Sequence, residues 1–157
     1  MDTVLANTAS PSYELSADQL EIRDQARKYF MSEFHPLQER MDNEDWWPQH
    51  MFKTLGGMGY LGQTVSEEYG GAGLDYLTSG VIAEAMTYAN PGVAFSWLAH
   101  DNLCLNNIFR SGNDDQRRRY IPKMCSGALI GALGMTEPGA GSDALGSMRT
   151  RARREGD

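Results

Sequence analysis

The chain has 157 residues, with 14 Lys and Arg against 21 Asp and Glu, a net charge of −7, and 41% apolar and 22% charged residues. That balance is the one of an ordinary folded domain and excludes a disordered tail. The negative charge excludes nucleic acid as the default partner, and no apolar run approaches the roughly 20 residues a membrane helix needs.

The opening residues 1–14 are small and polar, lack a basic segment followed by an apolar one, and read as a flexible arm with no secretory signal. The first helix then opens on a capping box, Ser16 with Gln19, flanked by Leu15 and Leu20. Ile22, Ala26, Tyr29 and Phe30 follow at helical spacing, and Pro36 is expected to end the helix near His35. A second helix is expected from Trp47-Pro48, with Met51, Phe52 and Leu55 inward and Gly56-Gly57 as its stop. Residues 59–73 are rich in glycine and read as a shaped loop. Leu77, Val81, Ala85 and Met86 mark a third helix, ended by Asn90-Pro91-Gly92. Phe95, Leu98, Cys104, Leu105, Ile108 and Phe109 mark a fourth, ended by Gly112. Asn113 and Gln116 cap a fifth, with Tyr120, Ile121 and Met124 inward. Short connections between helices imply antiparallel neighbours in an all-α domain over residues 15–127.

Beyond it the pattern changes. Residues 128–135 form a short apolar run bounded by turn residues, which suits a buried strand. Residues 148–154 alternate Arg149, Arg151 and Arg153 with Thr150 and Ala152, which suits a strand with one solvated face. Glu155-Gly156-Asp157 reads as a hairpin turn, so the chain is expected to stop within a β-unit. Cys104 and Cys125 read as free thiols, and His35, His50 and His100 are scattered, so no metal site is expected.

Between the two expected strands lies Thr136-Glu137-Pro138-Gly139-Ala140-Gly141-Ser142-Asp143, two glycines and a proline with hydroxyls at either end. Such a loop can present backbone N–H groups to phosphate oxygens. It matches neither the Rossmann nor the P-loop pattern, and taken alone it reads first as a hairpin loop and second as a ligand site.

With Leu133-Gly134-Met135 in front of it, however, this stretch closely resembles the signature of the acyl-CoA dehydrogenase family. Glu68-Tyr69-Gly70-Gly71-Ala72-Gly73 and the run Tyr120 to Gly127 resemble further family motifs. The segment Ala99 to Asn106, with Arg110 and Gly112-Asn113, is similar to the isovaleryl-CoA and short branched-chain members. The resemblance runs from Leu15 to Asp157 in order.

What it implies is a mainly α chain: the N-terminal helical domain at 15–127, then the first strands of a middle β-domain at 128–157. It implies FAD as cofactor, with Leu133, Gly134, Met135, Thr136, Glu137, Pro138, Gly139, Ala140, Gly141 and Ser142 lining it. Acyl-CoA is the implied substrate, touched by Ser142, Leu98 and Leu103. An electron-transfer flavoprotein is the implied acceptor, a homotetramer the full-length state, and the bacterial cytoplasm or the mitochondrial matrix the location. The reaction removes an α-proton with a glutamate base while hydride passes to the flavin. That glutamate is expected beyond residue 157, which leaves no catalytic residue here and an inactive chain on its own. Two alternatives stay open: an acyl-CoA oxidase or flavin monooxygenase-like relative, and a helical interaction fragment without catalysis. His100 reads first as a hydrogen-bonded helix histidine and second as part of an acyl pocket. Leu98 and Leu103 serve equally as core residues.

Overall fold

A computed structural model describes residues 14–156. The arm expected over 1–14 lies outside them except for Glu14, as does Asp157.

Helix α1, Ala17–Glu33, begins where the sequence places it: the Ser16 hydroxyl accepts from the Gln19 N–H at 3.2 Å, and the Gln19 side chain accepts from the Ser16 N–H at 3.0 Å. Its C-cap is Phe34, two residues before Pro36. A 3₁₀ turn, His35–Leu37, leads into α2, Gln38–Glu44, which the sequence reading leaves unmarked. Helix α3 occupies Met51–Gly57, later than the Trp47-Pro48 start expected, because Pro48 spends its carbonyl on a turn to the Met51 N–H. Helix α4, Tyr76–Ala89, is capped by Asp75 and packs along α1. The buried Asn90 amide donates to the Phe34 carbonyl at 2.9 Å and its oxygen accepts from Val93 N–H, which fixes the start of α5, Pro91–Leu98, against the end of α1.

The fourth expected helix is interrupted. Between α5 and α6, Asn106–Ser111, residues Ala99–Leu105 form a π-helical segment in which the Asn106 N–H reaches back five residues to the Asp101 carbonyl. Trp97, Asp101 and Leu105, at four-residue spacing, are all buried. At 3.6 residues per turn such a stripe drifts by about 40° at each step, and the wider turn offsets that drift. Helix α7, Asp114–Cys125, opens on the Asn113–Gln116 capping box the sequence shows.

Two groups of buried side chains result. One joins α1, α3, α4 and α5 around Phe30, Phe34, Leu55, Met86 and Trp97. The other joins the 61–74 loop, the π segment and α7 around Val65, Tyr69, Leu105, Ile121 and Met124.

The two expected strands are not formed. Residues 128–135 and 148–154 carry no ladder, and the described residues hold one isolated bridge, Glu137 with Ala140, and a short helix α8, Ala144–Ser147. A strand exists only through hydrogen bonds to a neighbouring strand. Among the described residues neither segment exchanges ladder hydrogen bonds with a partner strand, so the apolar run and the alternation stay unpaired.

Candidate functional site

The glycine-rich loop emerges from the end of α7 under tight control. Gly127 N–H donates to the Met124 carbonyl and Leu129 N–H to the Lys123 carbonyl, both at 3.0 Å, carrying the chain back along the helix it has left. Gly131 then enters a slot in the helical body. A side chain there would place its Cβ 2.5 Å from Met124 Cε and 2.6 Å from Cys104 Sγ, so only glycine fits. Its N–H donates to His100 Nδ1 at 3.0 Å, and His100 Nε2 lies 3.2 Å from the Met124 carbonyl. A backbone N–H only donates and a carbonyl only accepts, so the partners assign the proton to Nε2. His100 is fully buried, with the Phe52 ring 5.0 Å away, and burial pulls its pKa below the usual histidine value against the opposing Met124 bond. Of its two readings, the hydrogen-bonded helix histidine is the one observed.

The next residue, Asp101, carries a second tether. It is 3% exposed, and its carboxylate accepts from the Gly62 N–H and from the backbone of Gln63. Burial drives its pKa up to about 6 despite those bonds. Gly62 has φ +69° and would bring a Cβ 2.4 Å from Cys125 Sγ, so glycine is required there on both counts. Burial and then the Asp101 charge push the Cys125 thiol up to about 11, which makes it an inert packing group. Cys104 and Cys125 are both free. The sequence reading misses Asp101 and Gly62; the available signal was an ionisable His-Asp pair inside an otherwise apolar helical stretch.

Past Gly131 the backbone is exposed. Leu133, Gly134, Met135 and Thr136 lie on the surface, as do Pro138, Gly139, Gly141 and Ser142. Glu137 and Ala140 exchange two 3.0 Å hydrogen bonds across Pro138-Gly139, and Ala140 is buried. The Glu137 carboxylate accepts from Arg149 N–H and Thr150 N–H, each at 2.8 Å. The Thr150 side chain first, then those N–H groups, hold its pKa below the usual glutamate value. Glu137 thus closes the far side of the loop on itself. The N–H groups of Leu133 through Thr136, and of Gly139, Gly141 and Ser142, have no acceptor among the described residues. They sit on exposed residues and remain available to the polar edges of a ligand.

Leu103 and Leu133 meet at an apolar hollow of about 400 Å³ with Cys104, Ile108 and Tyr120. Leu98 lines a different hollow of about 110 Å³ beside Trp97 and Asp101, so the two leucines named as acyl contacts do not share one. Ser142 lines neither. A larger depression of about 930 Å³ by Met41, Trp47 and Pro91 includes none of these residues. No group of His, Cys, Asp and Glu able to hold a metal occurs among the described residues, and no described helix is long and apolar enough to cross a membrane.

Comparison with known proteins shows the family of the chain. The sequence model of the acyl-CoA dehydrogenase N-terminal domain matches residues 16–128. Mitochondrial isovaleryl-CoA dehydrogenase of Pongo abelii is 38% identical over 145 residues, 91% of this chain and 34% of that protein. Glutaryl-CoA dehydrogenase of Mycobacterium smegmatis superposes with a TM-score of 0.84 at 33% identity, over 91% of this chain and 37% of that one. An acyl-CoA dehydrogenase of Bacillus anthracis, solved with FAD, superposes at 0.78 with 34% identity, over 85% of this chain and 23% of that one. The chain spans about a third of the length of the curated relatives it matches.

Proposed function

The chain belongs to the acyl-CoA dehydrogenase family through its N-terminal domain, and from that premise we propose that it serves the FAD-dependent α,β-dehydrogenation of an acyl-CoA thioester. The observation that carries this reading is the exposed loop 133–142, tethered at Gly131 and closed by Glu137, with most of its remaining N–H groups lacking an acceptor among the described residues.

A flavin fits that loop chemically. These N–H groups and the Thr136 and Ser142 hydroxyls suit an acceptor-rich heterocycle edge and a pyrophosphate. When bound, FAD supplies the hydride-accepting chemistry. The chain's own contribution is to hold hydrogen-bond donors where negative charge develops on reduction, with no reorganisation at the moment of reaction. Leu133, Gly134, Met135, Thr136, Glu137, Pro138, Gly139, Ala140, Gly141 and Ser142 form this wall. Glu137 is not a base: both of its oxygens accept from the backbone. Leu103, at the apolar hollow it shares with Leu133, is the better placed of the two leucines for an acyl chain. Leu98 packs beside the Trp97 core.

The substrate in this reading is a short or branched acyl-CoA, in keeping with the named activities of the relatives. An electron-transfer flavoprotein is the acceptor, and the assembled enzyme is a homotetramer in the bacterial cytoplasm or the mitochondrial matrix. The helical unit 15–127 and the unit from 128 onward are separate domains.

The test is a chimera in which residues 16–156 replace the corresponding third of isovaleryl-CoA dehydrogenase. Retained yellow flavin, bleached anaerobically by isovaleryl-CoA, is the expected outcome, and Thr136→Ala in the chimera weakens flavin retention by about tenfold. A chimera that folds without retaining flavin sinks the reading. Rapid oxidation by oxygen in place of the flavoprotein points to the oxidase alternative.

A further inference from the structure

We infer that His100 is a positioning residue for the glycine-rich loop: its imidazole clasps the backbone at Gly131 and fixes where that loop leaves the helical body. The functional weight of the clasp rests on the flavin reading above, while the clasp itself stands on geometry.

Three observations converge on it. Gly131 is the last residue before Glu137 whose N–H meets an acceptor among the described residues, so no other backbone N–H bond fixes the path of 132–136. The imidazole is fully buried and uses both nitrogens, joining the π segment that carries it to the end of α7 and to the departing chain. The slot at Gly131 is closed by Met124 and Cys104, so the backbone fits there in one depth and the hydrogen bond selects its register. Leu133, two residues on, is the first residue of the proposed flavin wall. A displaced Gly131 therefore moves that wall directly, whereas an intact helical core with a free Gly131 leaves the wall unplaced.

Two conservative variants separate the halves of the clasp. Asparagine carries its oxygen near the position of Nδ1 and glutamine carries its amide nitrogen near that of Nε2. His100→Asn thus keeps an acceptor for Gly131, while His100→Gln keeps a donor to the Met124 carbonyl and loses the acceptor. On the full 157-residue chain, labelled with ¹⁵N, we expect Gly131 amide exchange to be unchanged within a few-fold in H100N. In H100Q it should be at least about tenfold faster, as loss of a single tether implies, with lower order parameters at 132–136 and unchanged exchange in α7. Equal exchange in wild type and H100Q, or equal acceleration in both variants, overturns the inference, the second outcome showing a packing role alone. Should either variant fail to fold, the wild-type imidazole decides: ¹⁵N shifts must show the proton on Nε2, and a proton on Nδ1 overturns the clasp. The chimera described above tests the other claim separately. A folded chimera that retains no flavin counts against the flavin reading and leaves the clasp standing.

Discussion

His100 and Asp101 are adjacent, both buried, and shifted by burial in ways that oppose each other on the pH axis. Asp101 binds its proton more tightly folded than unfolded, so its contribution to stability falls as pH rises from the ordinary 3.8 to about 6. Two pH units set the ceiling of that loss at about 3 kcal/mol. His100 binds its proton less tightly folded than unfolded, so its contribution is complete above 6.5 and is lost as pH falls below that toward its depressed value. The wild type should therefore show a shallow profile between pH 4 and 6.5 where the two slopes overlap. Asp101→Asn removes the descending slope, and urea unfolding of that variant should show stability rising with pH in the same interval. An Asp101→Asn profile as shallow as the wild type would refute this assignment. His100 was legible in the sequence as a hydrogen-bonded helix histidine, but not what it binds, and the role of Asp101 was not legible. Burial of a charge is decided by which backbone N–H groups come to it, here those of Gly62 and Gln63, some forty positions away in the chain.

At the scale of elements, local chemistry was readable and partnership was not. The capping boxes at Ser16 and Asn113 appear as read, because a cap is settled within four residues. The stripe drawn through Phe95, Leu98 and Leu105 was partly wrong. Phe95 is 73% exposed, while Trp97, which the stripe omits, is 2% exposed and donates its indole N–H to the Tyr60 carbonyl at 2.8 Å. The stripe assumed one helical pitch across a segment that has two. Leu105→Ala should thus cost about 2–5 kcal/mol, and Phe95→Ala less than about 0.5 kcal/mol, both read from denaturant midpoints at constant slope. Comparable losses at the two sites would contradict the burial pattern. The strands at 128–135 and 148–154 failed for a different reason: an apolar run or an alternation reports which faces a segment has, not that a second strand lies beside it.

For the whole molecule, the division is between a helical body and the stretch beyond Cys125. Among the described residues the body holds nearly all the buried apolar side chains, and only Ala140 and Ala144 are buried after it. In the same stretch Leu129, Ile130, Leu133, Met135, Leu145 and Met148 are exposed, Leu145 almost completely. Exposed apolar surface of that kind favours association. Light scattering should show a mass that rises with concentration, and Leu145→Ser together with Ile130→Ser should lower it. A monomer across the whole range in wild type would argue that these side chains are covered in another way. The ion pairs give no comparable lever, since Arg23–Asp24, Arg40–Glu44, Arg118–Glu68 and Arg153–Glu155 are exposed and each is worth about 1 kcal/mol or less.

The π segment at Ala99–Leu105 has one more consequence, for which changes of length the chain can absorb. A helix is a screw, and adding or removing one residue turns everything after it by about 100°. Just before the segment Trp97 faces one core, and at its last residue Leu105 faces the other. Deleting a single residue between them would keep the stretch helical yet point one of those two side chains at water. Insertions and deletions should thus be excluded from the middle of this regular helix, the part of a protein that looks most forgiving of drift. They should accumulate instead at residues 42–45, around the end of α2, which are all exposed.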